Sequence, residues 1–184
     1  LPRGARADTV LGDFASLASV RAMADTVRAR GVVLDVLVNN AGVYMNDARL
    51  TIDGFEMTFG VNHLAPFLLT HLLLPALSPT HARVINVSSV AHGRGRLDPR
   101  TWRSLDGFSP YGAYAQSKLA NVLMTVELAR RLPDHVDTFS LHPGVVSTKL
   151  LTEGFGMRGA DSLGDGADTS VWLATAPDLH SLDG

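Results

Sequence analysis

Tyr114 and Lys118 stand four residues apart in the run YGAYAQSKLANVLM, positions 111 to 124. On a helix that spacing sets the phenol and the ammonium side by side on one face. A free tyrosine has a pKa of about 10 and is poorly matched to proton exchange at neutral pH, a mismatch that a neighbouring cation relieves by stabilising the phenolate. Ser89, at the end of ARVINVSS, adds a hydroxyl able to hold a substrate oxygen while Tyr114 exchanges a proton with it. Ser88 beside it reads as a structural or backbone-contacting residue. Asn62 enters on other grounds. Pro66 lies four residues further on, and a proline inside a helix removes the hydrogen bond to the carbonyl four residues back. The freed Asn62 carbonyl is expected to take a water, and a water beside the lysine ammonium begins a proton relay.

These groups do chemistry only if the chain brings them together. LDVLVNN, ARVINVSS and VDTFSLHPG are short β-branched runs bounded by turn residues, and they read as buried parallel strands. Between and around them run amphipathic segments: one over Leu17 to Val27, with Ser16 as cap and Gly31 as stop; one from about Thr51 to Leu77; and one carrying Tyr114 to about Leu132, where Pro133 stops it. ADTSVWLAT reads as a final short helix, and the glycine-rich stretch from Gly154 to Gly166 as a mobile loop. Alternating strands and helices imply an α/β, doubly wound parallel sheet in a single domain over residues 1–184. Ligands of such sheets bind beyond the carboxyl ends of the strands. Here those ends carry Asn39-Asn40-Ala41-Gly42, Ser88-Ser89 and His142-Pro143-Gly144. Alone, each could be ordinary turn chemistry.

The 184 residues are 46% hydrophobic and 18% charged, with net charge −2 and no cysteine, so neither disulfides nor a nucleic-acid surface is expected. HLAPFLLTHLLLPAL is interrupted by His71, Pro66 and Pro75, and no membrane segment is expected from it. No signal-peptide pattern opens the chain, and a cytoplasmic location is the expectation. His63, His71, His81, His92 and His142 lack paired ligand spacing and read as polar or surface residues, with no metal expected.

Five motifs in register, NNAG at 39 to 42, VNHLAPFLLTHLLLP at 61 to 75, RVINVSSVAH at 83 to 92, YAQSKLAN at 114 to 121 and HPGVVST at 142 to 148, make the chain resemble the short-chain dehydrogenase/reductase family, in its retinol-dehydrogenase-like branch. The resemblance implies a Rossmann-like fold and an oxidoreductase acting between NADP(H) or NAD(H) and an alcohol or carbonyl, with a lipophilic substrate in view and NADP favoured by the branch. It implies Tyr114 as general acid/base, Lys118 lowering its pKa and holding the nicotinamide ribose, Ser89 orienting the carbonyl and Asn62 holding the relay water. Asn39, Ala41 and Gly42 would lie along the adenosine-side ribose and sheet edge. Pro143, Gly144, Val146 and Thr148 would flank the nicotinamide, and Asp13 would meet the adenine. A homo-oligomer joined through paired helices is implied as well.

The sequence departs from the family where the glycine-rich T-G-x-x-x-G-x-G turn would stand. It begins at what resembles the third strand, DTVLGDF, so it lacks the first β-α-β unit, and a further strand is expected beyond DLHSLDG. The literal G-x-G-x-x-G from Gly154 to Gly159 does not join a strand to a helix and reads as part of the substrate loop. The expectation is that the 184 residues are a subset of a longer chain. The rival reading is a non-catalytic fragment, unable to bind cofactor, that persists as a packing or interaction module.

Overall fold

The computed structural model describes residues 4–184. Three parallel strands, β1 (Val36–Asn39), β2 (Ala82–Val87) and β3 (Val136–Leu141), lie side by side in that order. Val36 is in register with Arg83, and Ala82 with Val136. All six residues of the central β2 are buried, as its unbroken apolar pattern requires.

Among the described residues, five α-helices pack around the sheet: α1 (Leu17–Ala29), the single turn α2 (Met57–Phe59), α3 (Ala65–Leu73), α4 (Pro110–Arg131) and α5 (Leu163–Thr175). Alternation along the strands divides the core. Ala82, Val84 and Val136 meet Met124 and Leu128 of α4 on one face, whereas Ile85, Val87, Phe139 and Leu141 meet Leu173 of α5 on the other. Val20 and Ala24 of α1 pack on Ala65, Leu69 and Leu73 of α3. The sheet is thus covered on both faces.

The start of α1 follows the sequence: the Ser16 hydroxyl accepts from the Ser19 amide, and Gly31 beyond its end takes φ +64. Where the sequence implied one helix from Thr51, regular structure begins at Met57, because the buried Glu56 carboxylate accepts from the Thr58 and Phe59 amides and caps α2. The chain then runs through a π-helical turn, Gly60–Leu64, before α3. Helical residues Met57–Ala76 form a 20-residue run of mean hydropathy 1.3, long and apolar enough to cross a membrane by length and composition, with 56% of its most apolar window buried inside the molecule. The α5 helix starts four residues earlier than ADTSVWLAT suggests, since Ser162 and Asp165 form a reciprocal capping box.

DTVLGDF is not a strand. Residues 8–13 have no regular structure, and Leu11 is exposed. A strand is held only by a hydrogen-bonded neighbour, and among the described residues the sheet offers this segment none. The loop after β3 is tied down at several points. The Val145 amide donates to the Asp161 carboxylate at 2.7 Å, and Ser147 Oγ bonds both the amide and the carbonyl of Gly159 at 3.0 Å.

Candidate active site

A cavity of about 1000 Å³ opens at the carboxyl edge of the sheet. Asn40, Ala41 and Gly42 reach it from the end of β1, Ser88 and Ser89 from β2, and the segment from His142 to Val146 from β3. Tyr114 and Lys118 enter from α4, whose first turn is set by Pro110 and by the Ser109 hydroxyl accepting from the Gly112 amide. Four helical residues apart, both side chains are buried, and the Lys118 Nζ lies 5.5 Å from the centroid of the Tyr114 ring.

Ser89 lines the cavity together with the Tyr114 phenol, and its Oγ accepts from the Ala91 amide at 3.3 Å. Burial pushes the Tyr114 phenol above its usual range, with the nearby Ser89 hydroxyl acting in the opposite direction and Tyr111 adding a smaller upward push. The expectation that Lys118 lowers the Tyr114 pKa is therefore not met in this arrangement. Lys118 is itself strongly desolvated: burial lowers its ammonium from 10.5 to about 8, and its Nζ donates to the Val87 carbonyl at 3.0 Å. Ser88 takes the structural part, donating to the Lys118 carbonyl at 2.8 Å.

Asn62 sits in the π-helical turn just before Pro66. Its carbonyl does have a partner, but that partner is the Asn121 amide, which donates from Nδ2 at 3.0 Å. One of the two lone pairs of the freed carbonyl is thus met inside the protein. Asn121 Oδ1 in turn accepts from His63 Nδ1 at 3.0 Å, and burial holds that imidazole below its usual range, hence neutral. The Asn62 side chain clamps Val43, accepting from its amide at 2.7 Å and donating to its carbonyl at 2.9 Å, and donates to Ser117 Oγ at 3.1 Å. Ser117 donates to the Tyr114 carbonyl at 2.8 Å. From Asn121 the bonds continue through Thr125 to Asn86 and Asn39. Asn121→Leu, which removes the donor to a buried carbonyl, is expected to destabilise the fold by about 1–3 kcal/mol. Urea unfolding of the two proteins measures this, and an unchanged midpoint would show that the Asn62–Asn121 bond contributes nothing.

Of the residues assigned to a cofactor by resemblance, Ala41, Gly42, Pro143, Gly144, Val146 and Thr148 line the cavity. Asn39 does not. Its side chain points inward and donates to Thr70 Oγ1 at 2.9 Å and to Asn86 Oδ1 at 2.8 Å, so the alternation of the strand gives the cavity to Asn40 instead. Asp13 does not line it either. It is exposed and accepts from the Ala15 amide at 2.8 Å, turning the chain into α1. Gly144 has φ +87, and a Cβ there would lie 2.5 Å from Asp161 Oδ2. Gly144→Ala is expected to cost about 2 kcal/mol or more, from the left-handed backbone and the displaced carboxylate together. A thermal midpoint equal to that of the parent would contradict it.

Sequence reasoning missed three features of the site. Tyr44 and Phe155 stack at 4.0 Å between centroids and close on Tyr114 at 5.5 and 5.2 Å, joining the loop after β1 to the loop after β3. His142 lines the cavity and has a buried Nδ1 with no hydrogen-bond partner among the described residues. Asn121 was legible only as part of the YAQSKLAN motif.

Comparison with known proteins agrees with this geometry. The profile described as "short chain dehydrogenase" matches residues 2–158. Human retinol dehydrogenase 11 is 44% identical over 185 residues, covering 94% of this chain and 57% of that protein, and mouse polyprenol dehydrogenase is 43% identical over 190 residues, again covering 94% and 57%. Among solved structures, an uncharacterised protein from Mycobacterium paratuberculosis superposes with TM-score 0.71 at 43% identity, covering 91% of this chain and 57% of that one. A short chain dehydrogenase from Burkholderia cenocepacia in complex with NADP has TM-score 0.71 at 25% identity, covering 95% and 71%. The chain spans less than two thirds of the length of these curated relatives. A profile match over most of the chain, relatives above 40% identity and a shared parallel sheet make one conclusion: this chain belongs to the short-chain dehydrogenase family, in its retinol-dehydrogenase-like branch.

Proposed function

We propose that this chain carries the substrate-converting part of an oxidoreductase that interconverts an alcohol and a carbonyl compound with NADP(H), in preference to NAD(H). The observation that carries the reading is that Tyr114, Ser89 and Lys118 line one large, mostly apolar cavity, with Lys118 one turn beyond Tyr114 on the same helix. A protonated, buried phenol is a donor. Tyr114 would give its proton to the carbonyl oxygen in reduction and take it back in oxidation, while the Ser89 hydroxyl holds that oxygen in place.

The residues present fit a nicotinamide ribose. Lys118 has three donors and uses one on Val87, and the neighbouring Gly42 has no side chain to cover its Nζ, which a Cβ there would approach to 3.6 Å. Lys118 would hold the ribose hydroxyls, with Ala41, Gly42, Pro143, Gly144, Val146 and Thr148 around the cofactor. The bound cofactor would supply the hydride. NADP is supported by the solved relatives that hold it. A lipophilic substrate is supported by the Tyr44 and Phe155 rings over Tyr114 and by relatives named for retinol and polyprenol. Phe67 on α3 and Leu123 and Val126 on α4 leave apolar side chains exposed, which supports association of copies.

Calorimetric titration with NADPH and with NADH, followed by turnover of long-chain aldehydes, tests the reading. Saturable binding with NADPH tighter is the expected result. A folded polypeptide that binds neither cofactor would overturn it in favour of the non-catalytic reading.

A further inference from the structure

At the opposite, amino-terminal edge of the sheet, four side chains converge that the proposed chemistry does not use. Asp137, the second residue of β3, is 2% exposed, yet its two carboxylate oxygens each face an imidazole: Oδ2 lies 3.1 Å from His81 Nε2 and Oδ1 lies 2.8 Å from His180 Nδ1. Asp183 brings a second carboxylate, with one oxygen from each aspartate and His180 Nδ1 all within 4.8 Å of one another. Two carboxylates drawn together repel unless a cation stands between them. Asp183 Oδ1 accepts from the Thr138 amide at 2.6 Å, which orients the group and leaves its other oxygen for a ligand. Arg83, in register with Asp137, turns its Nη1 to the Leu173 carbonyl.

We infer that His81, Asp137, His180 and Asp183 form a binding site for a divalent transition-metal cation of the zinc class. Two imidazoles and two carboxylates are the nitrogen and oxygen donors that zinc takes, at roughly 2.0–2.2 Å from each. Ligands at those distances stand roughly 3.0–3.5 Å apart around a four- to six-coordinate ion. The Asp137–His180 separation of 2.8 Å is close to this, whereas His81, 3.1 Å from the other Asp137 oxygen, lies outside the 4.8 Å triad of Asp137, His180 and Asp183 and must turn inward, as Asp183 must, to close on one ion. The ligands come from the turn before β2, from β3 and from the last residues of the chain, which is why no H-x-x-x-H spacing announces them. A bound cation would fasten the segment around His180 to the sheet.

The test is calorimetric titration of the chelator-stripped 184-residue chain with zinc chloride, and with magnesium chloride as the oxygen-preferring control. The expected result is saturable one-to-one zinc binding, weak or absent magnesium binding, and a loss of about tenfold or more in zinc affinity in His81→Ala and in His180→Ala. Both histidines are largely exposed, so these variants should keep the fold, which circular dichroism verifies. Asp137→Asn should abolish binding. Absence of saturable zinc binding in the parent, or undiminished binding in the double histidine variant, would overturn the site and leave the carboxylate held by imidazole hydrogen bonds alone.

Discussion

Tyr114→Phe is expected to reduce turnover by roughly 10²–10⁴-fold, the contribution typical of a positioned acid or base, while leaving NADPH affinity nearly unchanged. The substitution removes one oxygen and keeps the ring, so the contacts with Tyr44 and Phe155 persist. Little is lost structurally, so the thermal midpoint should move by no more than about 2–4 °C, the shift that about 1 kcal/mol produces in a chain of this length. Steady-state kinetics in a preparation that turns over aldehyde and NADPH, with a thermal melt of both proteins, separates the two effects. A variant within a few-fold of the parent rate would remove Tyr114 from the chemistry.

Lys118→Met should do two opposite things: end turnover and raise stability. The lysine is 3% exposed, and burial lowers its pKa from 10.5 to about 8. Its folded pKa is below its unfolded one, so the fold bears a penalty, fully present below pH 8, that shrinks as pH rises toward 10.5 and vanishes above it. The size is about 3 kcal/mol, less about 1 kcal/mol for the lost bond to the Val87 carbonyl. The methionine variant should therefore unfold at higher urea than the parent at pH 7, and the two should approach one another by pH 10. A variant less stable than the parent at pH 7 would show that the ammonium is better solvated than its burial implies. In the parent, activity should decline above about pH 8 as the Lys118 ammonium that would hold the ribose hydroxyls loses its charge.

The strands and most helices were legible in the sequence because apolar periodicity and caps are local signals: Ser16, Gly31 and Pro133 marked ends within a few residues of where they fall. What was not legible depended on partners distant in the chain. DTVLGDF has strand-like composition, but composition does not supply a neighbouring strand. Asn39 and Asn40 are identical in type, and only the phase of β1 decides that Asn40 meets the cavity while Asn39 turns inward. The rule that Pro66 frees the Asn62 carbonyl located a real device, but which donor meets it depends on α4 lying alongside, and that donor is Asn121. The Tyr114 environment was misjudged because helical spacing places Lys118 beside it without revealing how dry both groups are.

The hydrogen bonds that link Asn39, Asn86, Thr125, Asn121, Asn62 and Ser117 to the Tyr114 carbonyl pass only through amides, hydroxyls and backbone groups. None of these titrates between acid and alkaline extremes, and His63, the titratable side chain bonded to Asn121, is kept neutral by burial. The scaffold under the phenol therefore keeps its shape while Lys118 gains or loses its proton, and a pH profile recorded on this protein reads the reacting groups themselves, uncontaminated by movement of the frame that carries them.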